Sequence, residues 1–202
     1  QCVRLARYMV ARWGAYHVVW ILPGDAVYTG ERAARWQRIG RSVFGSARYA
    51  LVTLHPGGQH WYGDAFRDEA WLSVIGYQGG HSNTVACLAW DVSGDPATDW
   101  KATPTRPIIN LEPCYEYHVD QGDLSRRLSP FDVRRAVYWS LLVSPTAGVT
   151  YGGHGVWGWD DGVRPPIHHP TTGVPLPWRE ALEMPGAYQM AHVAELFESV
   201  AW

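Results

Sequence analysis

The sequence has no run of about 18 apolar residues, so no segment reads as a membrane-spanning helix. Cysteine is scarce: Cys2, Cys87 and Cys114 are an odd number without metal-like spacing. That excludes a disulfide framework and allows one bridge at most. A basic field is missing too. The formal net charge is −2, Lys101 is the sole lysine, and arginine forms no run, which excludes the phosphate-tracking surface of a nucleic-acid binder. No strand-like segment is followed by G-x-G-x-x-G or a P-loop, no H-x-H or H-E-x-x-H occurs, and no serine elbow is present. Neither a nucleotide cofactor nor a metal is expected, and a nucleophilic serine is not indicated.

What is abundant is aromatic and amphipathic: 12 Trp and 11 Tyr against 4 Phe. Trp and Tyr join a flat apolar face to a polar tip. Such faces fill cores, and they also stack on the C–H face of a sugar ring.

Strand-like and helix-like segments alternate, which predicts an α/β fold with parallel strands. Cys2 to Trp13 reads as an amphipathic helix closed by Gly14. The near-continuous apolar run His17-Val-Val-Trp-Ile-Leu22 has the character of a buried parallel strand and ends at Pro23-Gly24-Asp25. Further strands are expected at Tyr49–Leu54, Trp71–Ile75, Arg106–Asn110 and Gly148–Tyr151, with helices at Glu31–Phe44 and Ser82–Ala89. Ser129, Pro130 and Asp132 form a capping-box start for another helix. Trp178–Leu182 and Gly186–Val200 close the chain, and the polar stretch from Asp91 to Pro107 reads as mostly loop. Five strand–loop–helix units are the repeat of a (β/α)8 TIM barrel, placed as about strands four to eight of a single partial barrel domain over 1–202. The first three strands would lie outside this chain, and the chain by itself is expected to be inactive.

In such barrels function gathers at the C-terminal strand ends. Those ends carry Asp25; His55; Tyr77, Gln78 and His81; Glu112, Tyr115 and Glu116; and His154, Trp157 and Trp159. Glycoside hydrolysis needs two carboxyl groups flanking one bond, and Asp25 and Glu112 directly follow strands. Asp25 could instead be a turn residue, and Glu112 half of an ion pair with an arginine. Glu116 could bind substrate or orient Glu112. His168-His169, in a Pro-rich loop, is given no role.

Three stretches carry a resemblance: Pro107-Ile-Ile-Asn-Leu-Glu-Pro-Cys-Tyr-Glu116, Val133-Arg-Arg-Ala-Val-Tyr-Trp-Ser140 and Gly148-Val-Thr-Tyr-Gly-Gly-His-Gly-Val-Trp157. With Tyr16–Asp25 and Gly76–His81 they resemble the apiosidase-like glycoside hydrolases, glycoside hydrolase family 140 and its relatives. The resemblance implies a (β/α)8 barrel, often followed by a small β-sandwich domain, in a secreted or periplasmic bacterial enzyme of plant-polysaccharide degradation. It implies Asp25 and Glu112 as the catalytic pair. The family usually has Gly-Gly-Asp where Pro23-Gly24-Asp25 stands here.

The expected function is therefore cleavage of a glycosidic bond, with Asp25 as general acid and Glu112 as nucleophile. Tyr77, Gln78, His81, Tyr115, Glu116, His154, Trp157, Trp159 and His55 are expected to hold the sugar. The partners expected are a carbohydrate and no nucleic acid or membrane. A non-catalytic carbohydrate-binding barrel and a metal-dependent hydrolase are the other readings.

Overall fold

The computed structural model describes residues 1–46, 49–142, 146–166 and 171–201. His168 and His169 lie outside them. Helix α1 (Cys2–Trp13) ends where the Gly14 N–H donates to Val10 O. The chain continues through β1 (Val19–Ala26), α2 (Gly30–Phe44), β2 (Leu51–Pro56), α3 (Gly63–Phe66), β3 (Ile75–Gln78), α4 (Val85–Ser93), α5 (Asp95–Thr98) and β4 (Ile108–Glu112). A hairpin, β5 (Val119–Asp120) and β6 (Asp123–Arg127), precedes α6 (Pro130–Leu142), β7 (Gly148–Val149), α7 (Trp178–Ala181) and α8 (Pro185–Glu198).

The predicted α/β organisation and the parallel strands are present. β1 pairs with β2, β3 with β4, and β4 with β7, all parallel. Between β2 and β3 the ladder is replaced by bonds from Ser73 N and Val74 N to Val52 O (2.9 and 3.2 Å). Gly76 N donates to Thr53 Oγ1 and Tyr62 Oη at 2.9 and 2.8 Å. The five parallel strands thus follow one another in chain order.

Four strands end later than their apolar runs suggest. Gln78 and Glu112 are the last residues of β3 and β4, not the first residues beyond them. Hydropathy marks a strand only while its side chains face the core; the backbone ladder continues past that point with polar groups facing outward. Trp71 and Leu72, read as strand, instead pack as buried loop residues. The stretch read as loop after Asp91 carries α5 and the end of α4. The hairpin escaped notice because its strands are too short to show a period of two.

Two apolar cores support the strand ends. One lies under β1, β2 and β3 and includes Val52, Leu54, Phe66, Leu72 and Ile75, all fully buried. Each such side chain contributes roughly 1.5–3 kcal/mol. The other joins α4, α6 and α8 through Leu88, Val133, Val137, Leu141 and Val193. The start of α6 is the expected reciprocal cap: Ser129 N and Oγ donate to Asp132 Oδ2 at 2.7 and 2.8 Å.

The β2–β3 junction tests this account. A Cβ on Gly76 would sit 2.2 Å from Leu111 Cδ1 and 2.7 Å from Leu54 O, whereas one on Gly24 meets nothing within 4 Å. Gly76→Ala is expected to lose about 1–3 kcal/mol by overpacking, and Gly24→Ala to stay within about 0.5 kcal/mol. Urea unfolding of the two variants measures the difference, and equal stabilities would remove the junction from the account.

Candidate active site

The C-terminal ends of β1 to β4 open into a cavity of about 520 Å³. Of the residues expected in the site, Asp25, His55, Gln78, His81, Glu112, Tyr115 and Trp157 line it.

Glu112 is placed first by its backbone. Its N–H donates to Asn110 Oδ1 at 3.2 Å, and Asn110 Nδ2 donates to Ser140 Oγ at 2.9 Å, which fixes the strand end to α6. Both carboxylate oxygens are then engaged. His55 Nε2 lies 3.0 Å from Oε2 and His81 Nε2 lies 2.9 Å from Oε1. An arginine partner, the bland alternative, is not what holds it. Burial alone would raise its pKa, but hydrogen bonds from His55 and His81 outweigh burial and hold it at about 2. Glu112 is therefore a charged carboxylate in a nearly closed wall.

The histidines are seated differently. His81 follows Gly80, whose φ of +95° is open to glycine at little cost. Its Nδ1 accepts from the Tyr115 N–H at 3.3 Å, so its proton sits on Nε2 and points at Glu112. His55 is raised in pKa, chiefly by its hydrogen bond to Glu112, against the lowering effect of burial.

Asp25 occupies a bulge in β1, where the register with β2 shifts between Leu22 and Ala26, and its φ is +45°. Aspartate tolerates this left-handed conformation better than most residues. Tyr28 Oη, 2.7 Å from Pro23 O and 3.0 Å from His55 O, ties the ends of β1 and β2 together below it. Asp25 is exposed on the cavity rim. One carboxylate oxygen of Asp25, one of Glu112 and one imidazole nitrogen of His55 lie within 4.8 Å of one another. Among the described residues this is the one group with the donor set for a metal ion.

Four expected sugar-binding residues do not line the cavity. Tyr77 is fully buried between Trp61 and Trp90, because the pleat that turns Gln78 to the cavity turns its neighbour to the core. Glu116 accepts from Tyr151 Oη at 2.8 Å and from the Gly186 N–H at the start of α8, so its carboxylate is a structural tie. His154 is fully buried; its Nε2 donates to Gly173 O at 2.9 Å and its Nδ1 accepts from Trp157 Nε1 at 3.3 Å. It stands behind Trp157 and orients that ring. Trp159 is 68 % exposed and packs edge-on against Trp178, away from the cavity.

Other lining residues were not anticipated: His118, Gln121, Thr171 and Thr172. His118 directly precedes β5, and Gln121 lies in the turn between β5 and β6. His118 stands three residues past Tyr115, and its Tyr-Glu-Tyr-His context was the one available signal. All three cysteines are free.

The family described as apiosidase-like, catalytic domain matches residues 1–202. Similar solved structures include a glycoside hydrolase at 21 % identity and TM-score 0.75, covering 100 % of this chain and 47 % of that one. A glycoside hydrolase family 5 protein from Bacteroides vulgatus ATCC 8482 is similar at 24 % identity and TM-score 0.78, covering 100 % and 45 %. The likeness extends to the fold, and this chain spans under half the length of either. No curated protein matches.

The Glu112 cluster has a stability signature. The Glu112 carboxyl is lowered from 4.5 to about 2, so its contribution is present above pH 4.5 and lost as pH falls towards 2. His55 is raised above 6.5, so its contribution is full below pH 6.5 and fades as pH rises through its folded value. Thermal stability should therefore be greatest between pH 4.5 and 6.5. Glu112→Gln should flatten both limbs, and limbs that survive that change would assign the pH dependence to other groups.

Proposed function

The chain belongs to the apiosidase-like catalytic domain family, and on that premise we propose that it forms the carboxylate-bearing part of a retaining glycoside hydrolase. The observation that carries this reading is the approach of Asp25 and Glu112 oxygens to within 4.8 Å at the ends of parallel strands. Retaining pairs stand about 5–5.5 Å apart, while inverting pairs need roughly 6.5–9.5 Å to admit a water. Nearest oxygens inside that bound suit the retaining spacing.

In this mechanism Glu112, charged and held by His55 and His81, attacks the anomeric carbon. The glycosidic C–O bond breaks as Asp25 gives its proton to the departing oxygen. Asp25 then takes a proton from water, the water oxygen bonds to the same carbon, and Glu112 leaves as a carboxylate. Asp25 sits at the rim, where the leaving group must depart, and Glu112 sits deep, where the sugar is enclosed. Gln78, whose buried Oε1 has no partner among the described residues, and Tyr115 would meet the sugar hydroxyls. The Trp157 face would meet its apolar side.

The strand order supports a partial (β/α)8 barrel as the architecture. The outer edges of β1 and β7 are unpaired among the described residues, and Val19 and Ile21 on β1 are half exposed. Three preceding β–α units of a longer protein would cover them. We place that protein outside the cytoplasm, on plant-type polysaccharide bearing apiosyl or related groups, with a β-sandwich domain following. No helix among the described residues is long and apolar enough to cross a membrane.

A metal-dependent hydrolase is favoured by one observation, the Asp25–His55–Glu112 group. Against it, His55 and His81 already engage both Glu112 oxygens.

In the complete protein, Glu112→Gln should lower turnover of p-nitrophenyl apioside at least ~1,000-fold while leaving sugar binding intact. Proton NMR of the first-formed product should show a retained anomeric configuration; an inverted product would sink the retaining pair. EDTA should leave the rate unchanged, and a loss restored by zinc would favour the metal reading.

A further inference from the structure

Three imidazoles form a column, two of them lining the cavity and the third buried behind it. The His81 and His118 rings stack 4.2 Å apart at 13°, and the His118 and His154 rings stand 5.2 Å apart. A carbonyl oxygen only accepts and an N–H only donates, so their neighbours fix each tautomer. His81 takes the Tyr115 N–H on Nδ1 and directs its Nε2 proton to Glu112. His154 takes the Trp157 indole N–H on Nδ1 and gives its Nε2 proton to Gly173 O. Both nitrogens of each are committed to the protein.

His118 differs. Its Nδ1 lies 2.6 Å from Val119 O, so the proton is there and Nε2 is a bare acceptor. No described residue donates to that Nε2, and His118, only 2 % exposed, still lines the cavity. We propose that His118 is a sugar-binding residue whose Nε2 accepts a hydrogen bond from a hydroxyl of the glycosyl group held against Glu112. This rests on the glycoside hydrolase reading of the site.

The surroundings keep the acceptor bare. Burial holds His118 down at about 4, and His81 and His154 push the same way, against the Val119 carbonyl and the Glu112 charge. A protonated His118 would turn Nε2 into a donor in a cavity where Gln78 offers an unpartnered acceptor. His118 and Gln78 are thus two acceptors lining one cavity, a pattern that selects a ligand with two donating hydroxyls. The column links the Trp157 platform to the Glu112 partner, so a sugar seated on the platform meets the acceptor and the carboxylate together.

Two measurements on the complete protein decide the assignment. The first is long-range proton–nitrogen NMR of the ¹⁵N-histidine-labelled wild type, titrated with glycerol as a plain hydroxyl donor. At neutral pH His118 Nε2 should be unprotonated, and glycerol should shift it towards lower frequency. An Nε2 that carries a proton, or a signal unmoved at saturating glycerol, overturns the proposal. The second is His118→Phe, which keeps a flat ring against His81 but removes the acceptor. For p-nitrophenyl apioside kcat/KM should fall roughly tenfold or more, carried by KM, because the hydroxyl loses its partner. A value within twofold of wild type makes the ring mere packing and overturns the proposal. If the wild type does not cleave apioside, the substrate reading fails, and the glycerol titration still decides the role of His118.

Discussion

The site depends on one constraint: a carboxylate must stay charged while mostly removed from water. Transfer of an unpaired carboxylate into such a place costs so much that it would take up a proton instead. Here two imidazoles at 3.0 and 2.9 Å meet its two oxygens. Each imidazole must in turn be held, which is why Gly80, the Tyr115 N–H and the β2 strand end are arranged as they are. Tyr115 is itself seated against Gly152, where a Cβ would lie 2.0 Å from its ring. The chain of dependence runs from one charge through two rings to four strand ends.

The two carboxylates have different environments. Glu112 is 8 % exposed and held at both oxygens. Asp25 is exposed, in a bulge with a left-handed backbone. Backbone strain of this kind is held only when its surroundings determine it, and the Tyr28 hydroxyl between β1 and β2 does that.

Much of the site was legible because a parallel α/β fold puts function at strand ends, and hydropathy locates those ends to within a few residues. Asp25, His55, Gln78, His81, Glu112, Tyr115 and Trp157 were reached that way, and all of them face one cavity. Tyr77 and Gln78 are adjacent, yet one is core and the other is wall. A strand sends alternate side chains to opposite faces, and near a bulge the sequence does not say which phase applies. Glu116 was misplaced because a carboxylate among tyrosines looks the same whether it faces a ligand or a helix N-terminus.

The sequence by itself determined the alternation of strands and helices, the α6 cap and the candidates at each strand end. All of these are local: a period of residues, a capping pattern, a polar residue after an apolar run. Only the tertiary structure decided that His55 on β2 and His81 beyond the end of β3 share the two oxygens of Glu112. It alone decided that Asp25 comes within 4.8 Å of that group and that His118 folds back from the hairpin to stack on His81. Those contacts join residues some 30 to 90 positions apart. Their energy depends on distance and solvent exclusion, which no local pattern encodes.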